Sequence, residues 1–540
     1  MGSPSERLLL TDQNLENTKM PNLSRRTIIK AFGTGLAIPA IGHAENFLGK
    51  KDTVFPFGVA SGDPAEDGFV VWTRLGTLPL RYGVAPDLPQ KVPVSWEISE
   101  DEDMHRIVQK GQTYAAAMNG YSVHVEIQGL KPGRPYWYRF RAQGTQSGIG
   151  RSRTFPISGQ AVSSLRVAVA SCAHWEMGWY SAYRHLANEH PDIVLFLGDY
   201  IYEHNAPPAR QGLTVRSYGA SEATDLEGYR WRYGLQKTDP DLQKAHAVAP
   251  WLPIWDDHEI EDDYSGVWPS SPEESAEAFR RRRLAAWQAW YENMPVRKNV
   301  RIADGGMRIY RRIKFGDLAI IDLMDGRQYR SRQPCPVPPK YGDGRIISES
   351  CPDFHDARRT FLGAEQERWL YDGFRDRSVV WTILAQDLKV APLRFPSSAG
   401  YNYWTDTWDG FPLARDRLTK ALANYRPPNP IIFSGDYHSF FTSDIRAHPY
   451  DEKSSIVASE ILGTSITSLG PPYEAIQKIL PDNPDIHFFD SRKRGYVIAE
   501  FTRQAMTAKL MSIADARNPF CGVSLTRKFT VERDKKGLII

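Results

Sequence analysis

The sequence lacks a strong charge of either sign. Its 540 residues carry 67 Lys+Arg against 64 Asp+Glu, a formal net charge of +3. No long Lys/Arg run interleaved with aromatics occurs, so nothing in it calls for nucleic acid. It also lacks the roughly 20-residue apolar run that a membrane-crossing helix needs. The apolar stretch from Ala31 to Ile41 is too short, and no other is long enough. Internal repeats and low-complexity tracts are absent, which excludes solenoid and disordered classes. Cysteines are few: Cys172, Cys335, Cys351 and Cys521. What is abundant is aromatic residues, 12% of the chain with 15 Trp and 25 Tyr, which points to a large ordered core or aromatic-lined clefts. The length exceeds one ordinary core, so two domains or one large decorated domain are expected.

At the N-terminus, Ser24-Arg25-Arg26-Thr27 precedes the apolar stretch, and Gly42-His43-Ala44 offers the small residues a signal peptidase reads. Paired arginines before a modest apolar segment resemble a twin-arginine export signal over residues 1–44. The mature protein is then expected to be exported and soluble, periplasmic or extracellular. Export permits disulfides. Cys335 and Cys351 flank a Pro/Gly-rich segment, so a bridge closing that loop is plausible, although sequence alone leaves the pairing open.

From Phe55 to Pro156 the pattern is short strands of period 2. Val92-Val94-Trp96-Ile98, Tyr121-Val123-Val125-Ile127 and Tyr136-Tyr138-Phe140 each alternate. The turn Gly129-Leu130-Lys131-Pro132-Gly133 before an aromatic strand resembles the fibronectin-type-III class of β-sandwich, here spanning 54–158. Beyond the linker Ile157–Gln160 the order becomes strand, polar tip, helix. Helical spacing of Leu284, Trp287, Trp290, Tyr291 and Met294 marks a core stripe on a helix over Glu273–Met294, with Arg280–Arg283 as a solvated face.

The strand tips carry the chemistry. Leu165–Val169 ends at Ser171-Cys172, and Ile193–Leu197 at Gly198-Asp199-Tyr200-Ile201-Tyr202-Glu203. Ala249–Trp255 ends at Asp256-Asp257-His258-Glu259, and Leu318–Leu323 at Asp325-Gly326-Arg327. Val379–Ala385 ends at Gln386-Asp387, and Ile431–Phe433 at Ser434-Gly435-Asp436-Tyr437-His438. In α/β sheets ligands gather at the carboxyl ends of strands, so several metal-competent endings point to one shared site. Asp199, Asp257 and Asp436 are hard anionic oxygens suited to Ca²⁺, Mg²⁺, Mn²⁺ or ferric iron, and His438 adds an imidazole. A phenol such as Tyr202 needs a strongly charged cation to ionise, and a Cys172 thiolate suits the same iron. Taken singly, His174 and His204 read as locally satisfied polar residues, and Glu203 either supports the site or simply ends its strand.

These motifs resemble the alkaline phosphatase D (PhoD) family of the metallophosphoesterase superfamily, which is related to purple acid phosphatases. The resemblance is carried by Gly198-Asp199 with Tyr202, by Ser61-Gly62-Asp63-Pro64 with Val71-Trp72-Thr73-Arg74, and by Ser171-Cys172. Trp255–Glu259, Arg327-Gln328-Tyr329-Arg330, Trp408-Asp409-Gly410-Phe411-Pro412 and Ser434–His438 complete it, in this order across most of the mature chain. It implies an α/β (α+β) fold, a four-layer αββα sandwich behind the N-terminal β-sandwich, with the catalytic domain over 163–525 and a C-terminal tail over 526–540. It also implies a Fe³⁺ and Ca²⁺ centre. Cys172, Asp199, Tyr202 and His438 would hold iron, Asp199 would bridge to calcium, and Asp257 and Asp436 would be further calcium ligands. Gln386 and Asp263 are additional ligand candidates; where the family commonly has an Asn pair, this chain has Asp262-Asp263.

The implied reaction is attack of metal-activated hydroxide on phosphorus. His258, paired with Asp256 or Glu259, would protonate the departing oxygen, and Arg327 would clamp phosphate. The substrate would be a phosphate mono- or diester, the diesters including phospholipids and teichoic-acid-type polymers. The twin-arginine machinery would be the export partner and the protein a monomer. A non-catalytic secreted binding protein is the rival of a different class, and it is disfavoured because every core ligand position is filled.

Overall fold

The computed structural model describes residues 53–338, 342 and 344–539. The expected export signal over 1–44 lies outside them. The chain opens with β1 (Val59–Ala65), β2 (Gly68–Arg74), β3 (Lys91–Ser99), β4 (Ile107–Ala116), β5 (Ser122–Ile127), β6 (Pro135–Ala142), β7 (Thr145–Gln146) and β8 (Gly150–Arg153). Strands β3, β5 and β6 fall where the alternation places them. β4, IVQKGQTYAA, was not anticipated: it is a half-exposed edge strand with too few apolar residues to show a period.

From there β9 (Ser164–Ala170), α1 (Ser181–Asn188) and β10 (Ile193–Leu197) follow, then α2 (Leu226–Lys237), α3 (Pro240–Val248), β11 (Trp251–Ile254) and α4 (Ala276–Asn293). A second series runs β12 (Arg311–Phe315), β13 (Ala319–Leu323), β14 (Ile346–Ser348), α5 (Gly363–Gly373), β15 (Trp381–Ala385), β16 (Arg394–Ser397), β17 (Gly400–Trp404), α6 (Pro412–Tyr425) and β18 (Pro430–Ser434). It closes with β19 (Phe440–Arg446), β20 (Ile456–Leu462), α7 (Tyr473–Ile479), β21 (Ile486–Asp490), β22 (Arg494–Thr502), β23 (Ala505–Ile513) and β24 (Val523–Glu532). β24 crosses the expected end of the catalytic domain at 525 and extends the sheet to Glu532.

Two large mixed sheets result, a nine-stranded one in the order β24-β23-β22-β9-β10-β11-β1-β2-β5 and a seven-stranded one in the order β12-β13-β15-β18-β20-β19-β21. They share one core: Val167, Leu195 and Leu252 of the first meet Ile321, Ile383 and Phe433 of the second. The other face of the second sheet, Leu384 and Ile432, packs on Leu370 of α5 and Leu418 of α6. Alternate residues of one strand thus serve two cores, as the period of 2 requires. At the N-terminal end a third core joins Val59, Phe69, Val71 and Val123 to Val92, Val94, Tyr138 and Phe140 of the five-stranded sheet.

The N-terminal strands are not fenced off from the rest. β1 pairs in parallel with β11 through Gly62 and Trp251, so one sheet runs across both regions. The guanidinium of Arg311 holds Asp63 at 2.8 Å next to this joint. Ser275 caps α4 by accepting from Ala278 N–H; of the expected stripe Trp287, Trp290 and Met294 are buried, while Leu284 and Tyr291 are half-buried against the core. The expected solvated arginine face is only partly so. Arg280 and Arg281 are exposed and paired with Glu277, whereas Arg282 is buried against Tyr229, Glu222 and Glu274. Cys335 and Cys351 form a disulfide, and Cys172 and Cys521 are free and buried. Among the described residues no helix is long and apolar enough to cross a membrane.

A Cβ at Gly62 would overlap the carbonyl oxygens of Trp251 and Pro295. Gly62→Ala is expected to destabilise by about 1–3 kcal/mol through overpacking at the joint. A thermal midpoint equal to that of the unsubstituted protein would show that the joint yields freely.

Candidate metal centre

The parallel strands β9, β10 and β11 of one sheet and β13, β15 and β18 of the other point their carboxyl ends at a common region. The tips turn sharply there. Cys172, Asp199, Asp263, Asp436 and His438 all have positive φ, between 50° and 63°. Such conformations are costly for non-glycine residues and persist only where the surroundings over-determine them. They do so here. Cys172 N–H donates to Gly198 O at 3.1 Å and Ala173 N–H to Asp199 O at 2.9 Å, while Gly435 N–H donates to Asp387 O at 2.7 Å. Gly198, at φ 91°, lies so close to Asp256 that no side chain fits. Glu259 ties two tips together: it accepts from the backbone N–H groups of Asp199 at 3.0 Å, Tyr200 at 2.6 Å and Asp256 at 2.9 Å.

The side chains fall into two adjoining groups. In the first, donor atoms of Cys172, Asp199 and His438 lie within 4.8 Å of one another. Tyr202 joins them, its hydroxyl donating to Asp199 Oδ2 at 2.8 Å and lying 3.0 Å from His438 Nε2. In the second, Asp256, Asp257 and Asp436 converge, and Asp199 also groups with Asp257 and His258. Asp199 is thus the member shared between the halves. All of these side chains are buried.

Burial makes this assembly electrostatically expensive. It pushes Cys172, Asp199, Tyr202, Asp256 and Asp436 well above their ordinary pKa ranges, with Asp199 adding to the rise of the thiol and the phenol. Asp199 Oδ1, Asp256 Oδ2, Asp436 Oδ2 and both oxygens of Asp387 accept no hydrogen bond. Buried anionic oxygens without partners, beside a thiol, a phenol and an imidazole, fit cationic metal ions and little else.

Several expected roles change. Arg327 is fully buried and bonds Asp256 and Asp406, with Asp257, Asp387 and Asp436 also within 4.0 Å. Its charge is thus committed to carboxylates beneath the site, which argues against a phosphate clamp. Asp256 accordingly bonds Arg327 and not His258. The partner of His258 is Glu203, to which Nδ1–H donates at 2.9 Å, while Nε2 lies 3.6 Å from Asp262 Oδ1. Burial disfavours the charged ring, but Asp257, Asp199 and Glu203 outweigh it and raise His258 well above the usual range. Gln386 is spent inside the core: its amide donates to Ser434 Oγ at 3.0 Å and to Leu388 O, and its carbonyl accepts from Trp408 Nε1 at 3.0 Å. These bonds hold it among core side chains, and none of the metal-competent groups of the site includes it. Asp263 braces Asp257 through a backbone N–H at 2.6 Å, and its carboxylate lies against Gly344.

Asp406 and Asp387 were not singled out. Asp406, despite burial, is held at about 2 by Arg327 and Arg330. Asp387 was read only as part of the Gln386-Asp387 tip, with no role given to it. Asp406 lies 79 residues from Arg327 in the chain, with no local signal.

Burial raises Asp387 to about 7 and Glu259 to about 8. Between roughly pH 4 and 8 these groups hold more protons folded than unfolded, so their contribution is lost as pH rises. Metal-stripped protein is expected to melt at a lower temperature at pH 8 than at pH 5, with added metal ions reversing the deficit. A midpoint that rises with pH in the stripped protein would contradict this account.

Comparison with known proteins agrees with the geometry. Residues 167–510 match the PhoD-like phosphatase family, and residues 42–156 match the PhoD-like phosphatase N-terminal domain. Alkaline phosphatase D of Bacillus subtilis (strain 168) is 36% identical over 543 residues, covering 98% of this chain and 90% of that protein. Purple acid phosphatase 15 of Arabidopsis thaliana is 33% identical over 149 residues, covering 26% of this chain and 27% of that one. The solved structure of PhoD superposes with a TM-score of 0.84 at 36% identity, covering 91% of this chain and 92% of that chain. With its two domain matches, a relative along nearly its whole length and a metal-competent cluster at the meeting of two sheets, the chain belongs to the PhoD-like phosphatase family and is a phosphoric ester hydrolase.

Proposed function

We propose that the protein is an exported phosphatase with a Fe³⁺ and Ca²⁺ centre that hydrolyses phosphate monoesters and diesters. The observation that carries this is the convergence of Cys172, Asp199, Tyr202 and His438 on one point, with Asp199 shared by the group holding Asp257. Cys172, Asp199, Tyr202 and His438 would hold iron, and Asp199, Asp257 and Asp436 calcium. Thiolate and phenolate favour the trivalent ion, while a set of carboxylates alone suits calcium. When bound, such ions supply an activated nucleophile and neutralise charge on the phosphoryl oxygens. Arg327 and Arg330 fix Asp406 and Asp256 beneath the pair and so limit the like-charge repulsion around it.

His258 is the proton donor for the leaving oxygen. Glu203 takes its Nδ1–H, which aims Nε2 at the cavity formed with Tyr202 and His438. The backbone N–H of Asp262 at 2.8 Å and the ring Nδ1 of His204 at 3.4 Å hold Glu203 Oε1 in place. A diester as preferred substrate is favoured by one feature. A groove of about 1040 Å³ opens beside the site between Pro207, Leu213, Leu469 and Tyr473, with room for a bulky second ester group. The reading extends to the whole chain: a fibronectin-III-like N-terminal sandwich, a four-layer αββα catalytic domain, export by the twin-arginine route and a monomeric state. The shared core between two sheets with helices α5 and α6 behind one of them supports the layered arrangement.

Elemental analysis of purified protein is expected to find iron and calcium together with a visible phenolate-to-iron band that Tyr202→Phe abolishes. Iron-free active enzyme would sink the assignment. His258→Ala is expected to keep both metals and lose about 10²–10⁴-fold in turnover. Glu203→Gln should lose about 10–100-fold at unchanged metal content. Unchanged hydrolysis in His258→Ala would remove His258 from the mechanism. Matched p-nitrophenyl mono- and diesters decide the substrate preference.

A further inference from the structure

His204 pairs with Glu203, but His174, read from sequence as locally satisfied, has an atom without a use. Its side chain is 5% exposed, and Nε2 accepts and donates no hydrogen bond. The other nitrogen is committed: Nδ1 accepts from Glu176 N–H at 3.2 Å. A ring that accepts at Nδ1 carries its hydrogen on Nε2, so the unpartnered atom is an N–H donor. The ring cannot easily turn away. It packs on Tyr202 with centroids 4.5 Å apart and on Tyr218 at 5.7 Å, and the His174 carbonyl accepts from Thr467 Oγ1 at 2.7 Å.

That donor faces a defined space. His174, Tyr202, His204, Arg210, His258 and His438 line a cavity of about 10 Å³. This is room for about one oxygen-sized atom. The cavity adjoins the larger groove: the two share the lining residues Met177, Pro207, Arg210 and Leu469. An ester held in the groove therefore lies next to the cavity that Tyr202 and His258 also line.

We propose that His174 is a substrate-contacting residue whose Nε2–H donates to a phosphoryl oxygen of the bound ester. A fixed neutral donor suits this task, because it orients the phosphoryl group without adding another charge beside His258. It also explains why a buried N–H is tolerated with no protein acceptor: its partner arrives with the substrate. The inference rests on the metal-centre reading of the site and names one more group that holds the substrate there.

The test compares reconstituted His174→Phe, which keeps the ring and loses the donor, with His174→Gln, which restores an amide N–H. Inorganic phosphate is titrated as the binding probe and p-nitrophenyl phosphate as substrate, with metal content and thermal midpoint measured alongside. His174→Phe is expected to weaken phosphate binding and raise KM by about tenfold at unchanged metal content, with His174→Gln recovering part of the loss. If His174→Phe fails to fold, His174→Ala supplies the donor-free variant and is read in the same way. Phosphate affinity and KM within about twofold of the unsubstituted enzyme, with metals retained, would overturn the proposal. So would loss of metal in both variants, which would make His174 a ligand. If the unsubstituted, metal-loaded protein neither binds phosphate nor hydrolyses the ester, the site reading itself fails and this inference with it.

Discussion

The structure depends on holding buried carboxylates close together. Asp199, Asp256, Asp257, Asp387, Asp406 and Asp436 are all buried, and one guanidinium, Arg327, lies within 4.0 Å of five of them. In a low-dielectric interior such a set repels itself, and its members are driven toward protonation unless cations neutralise them. Arg327 and Arg330 meet that need on the inner side through Asp406. Oxygens of Asp199, Asp256 and Asp436 are left without hydrogen-bond partners, the charge that a metal ion would neutralise.

The backbone around the site follows from the same requirement. Six strand ends from two sheets must deliver short side chains to one point, so the chain turns within one or two residues of each strand. Left-handed conformations at Cys172, Asp199, Asp436 and His438 are the consequence. The backbone bonds between tips, and the three that Glu259 accepts, keep those turns from relaxing. Strain and electrostatic cost are therefore concentrated in one place, while the shared core of the two sheets supplies the stability that sustains them.

The same crowding separates residues that look alike in sequence. Glu203 and Glu259 each follow a metal-competent motif by one residue, yet one orients His258 and the other caps three backbone N–H groups. Asp256 and Asp257 are neighbours in the chain, but Asp256 is bonded to Arg327 whereas Asp257 groups with Asp199 and His258. Gln386 and Asp387 divide similarly, the amide hydrogen-bonded in the core and the carboxylate accepting no hydrogen bond, with Arg327 at 4.0 Å.

Strands β3, β5 and β6, the tip-bearing strands β9, β10, β11, β13, β15 and β18, most of the apolar stripe on α4 and the tips bearing Cys172, Asp199, Tyr202, Asp257, Asp436 and His438 were determined by sequence. Each rests on a local rule: apolar period, turn chemistry, or a metal-competent residue directly after a strand. Partner choice was decided only by tertiary structure. Arg327 reaches Asp406 across 79 residues, His258 reaches Glu203 across 55, and β1 joins β11 through Gly62 and Trp251. Such contacts leave no period or spacing in the chain, because they depend on how two sheets stack. The role of a buried charge is set by whichever opposite charge folding brings nearest, and that distance exists only in three dimensions.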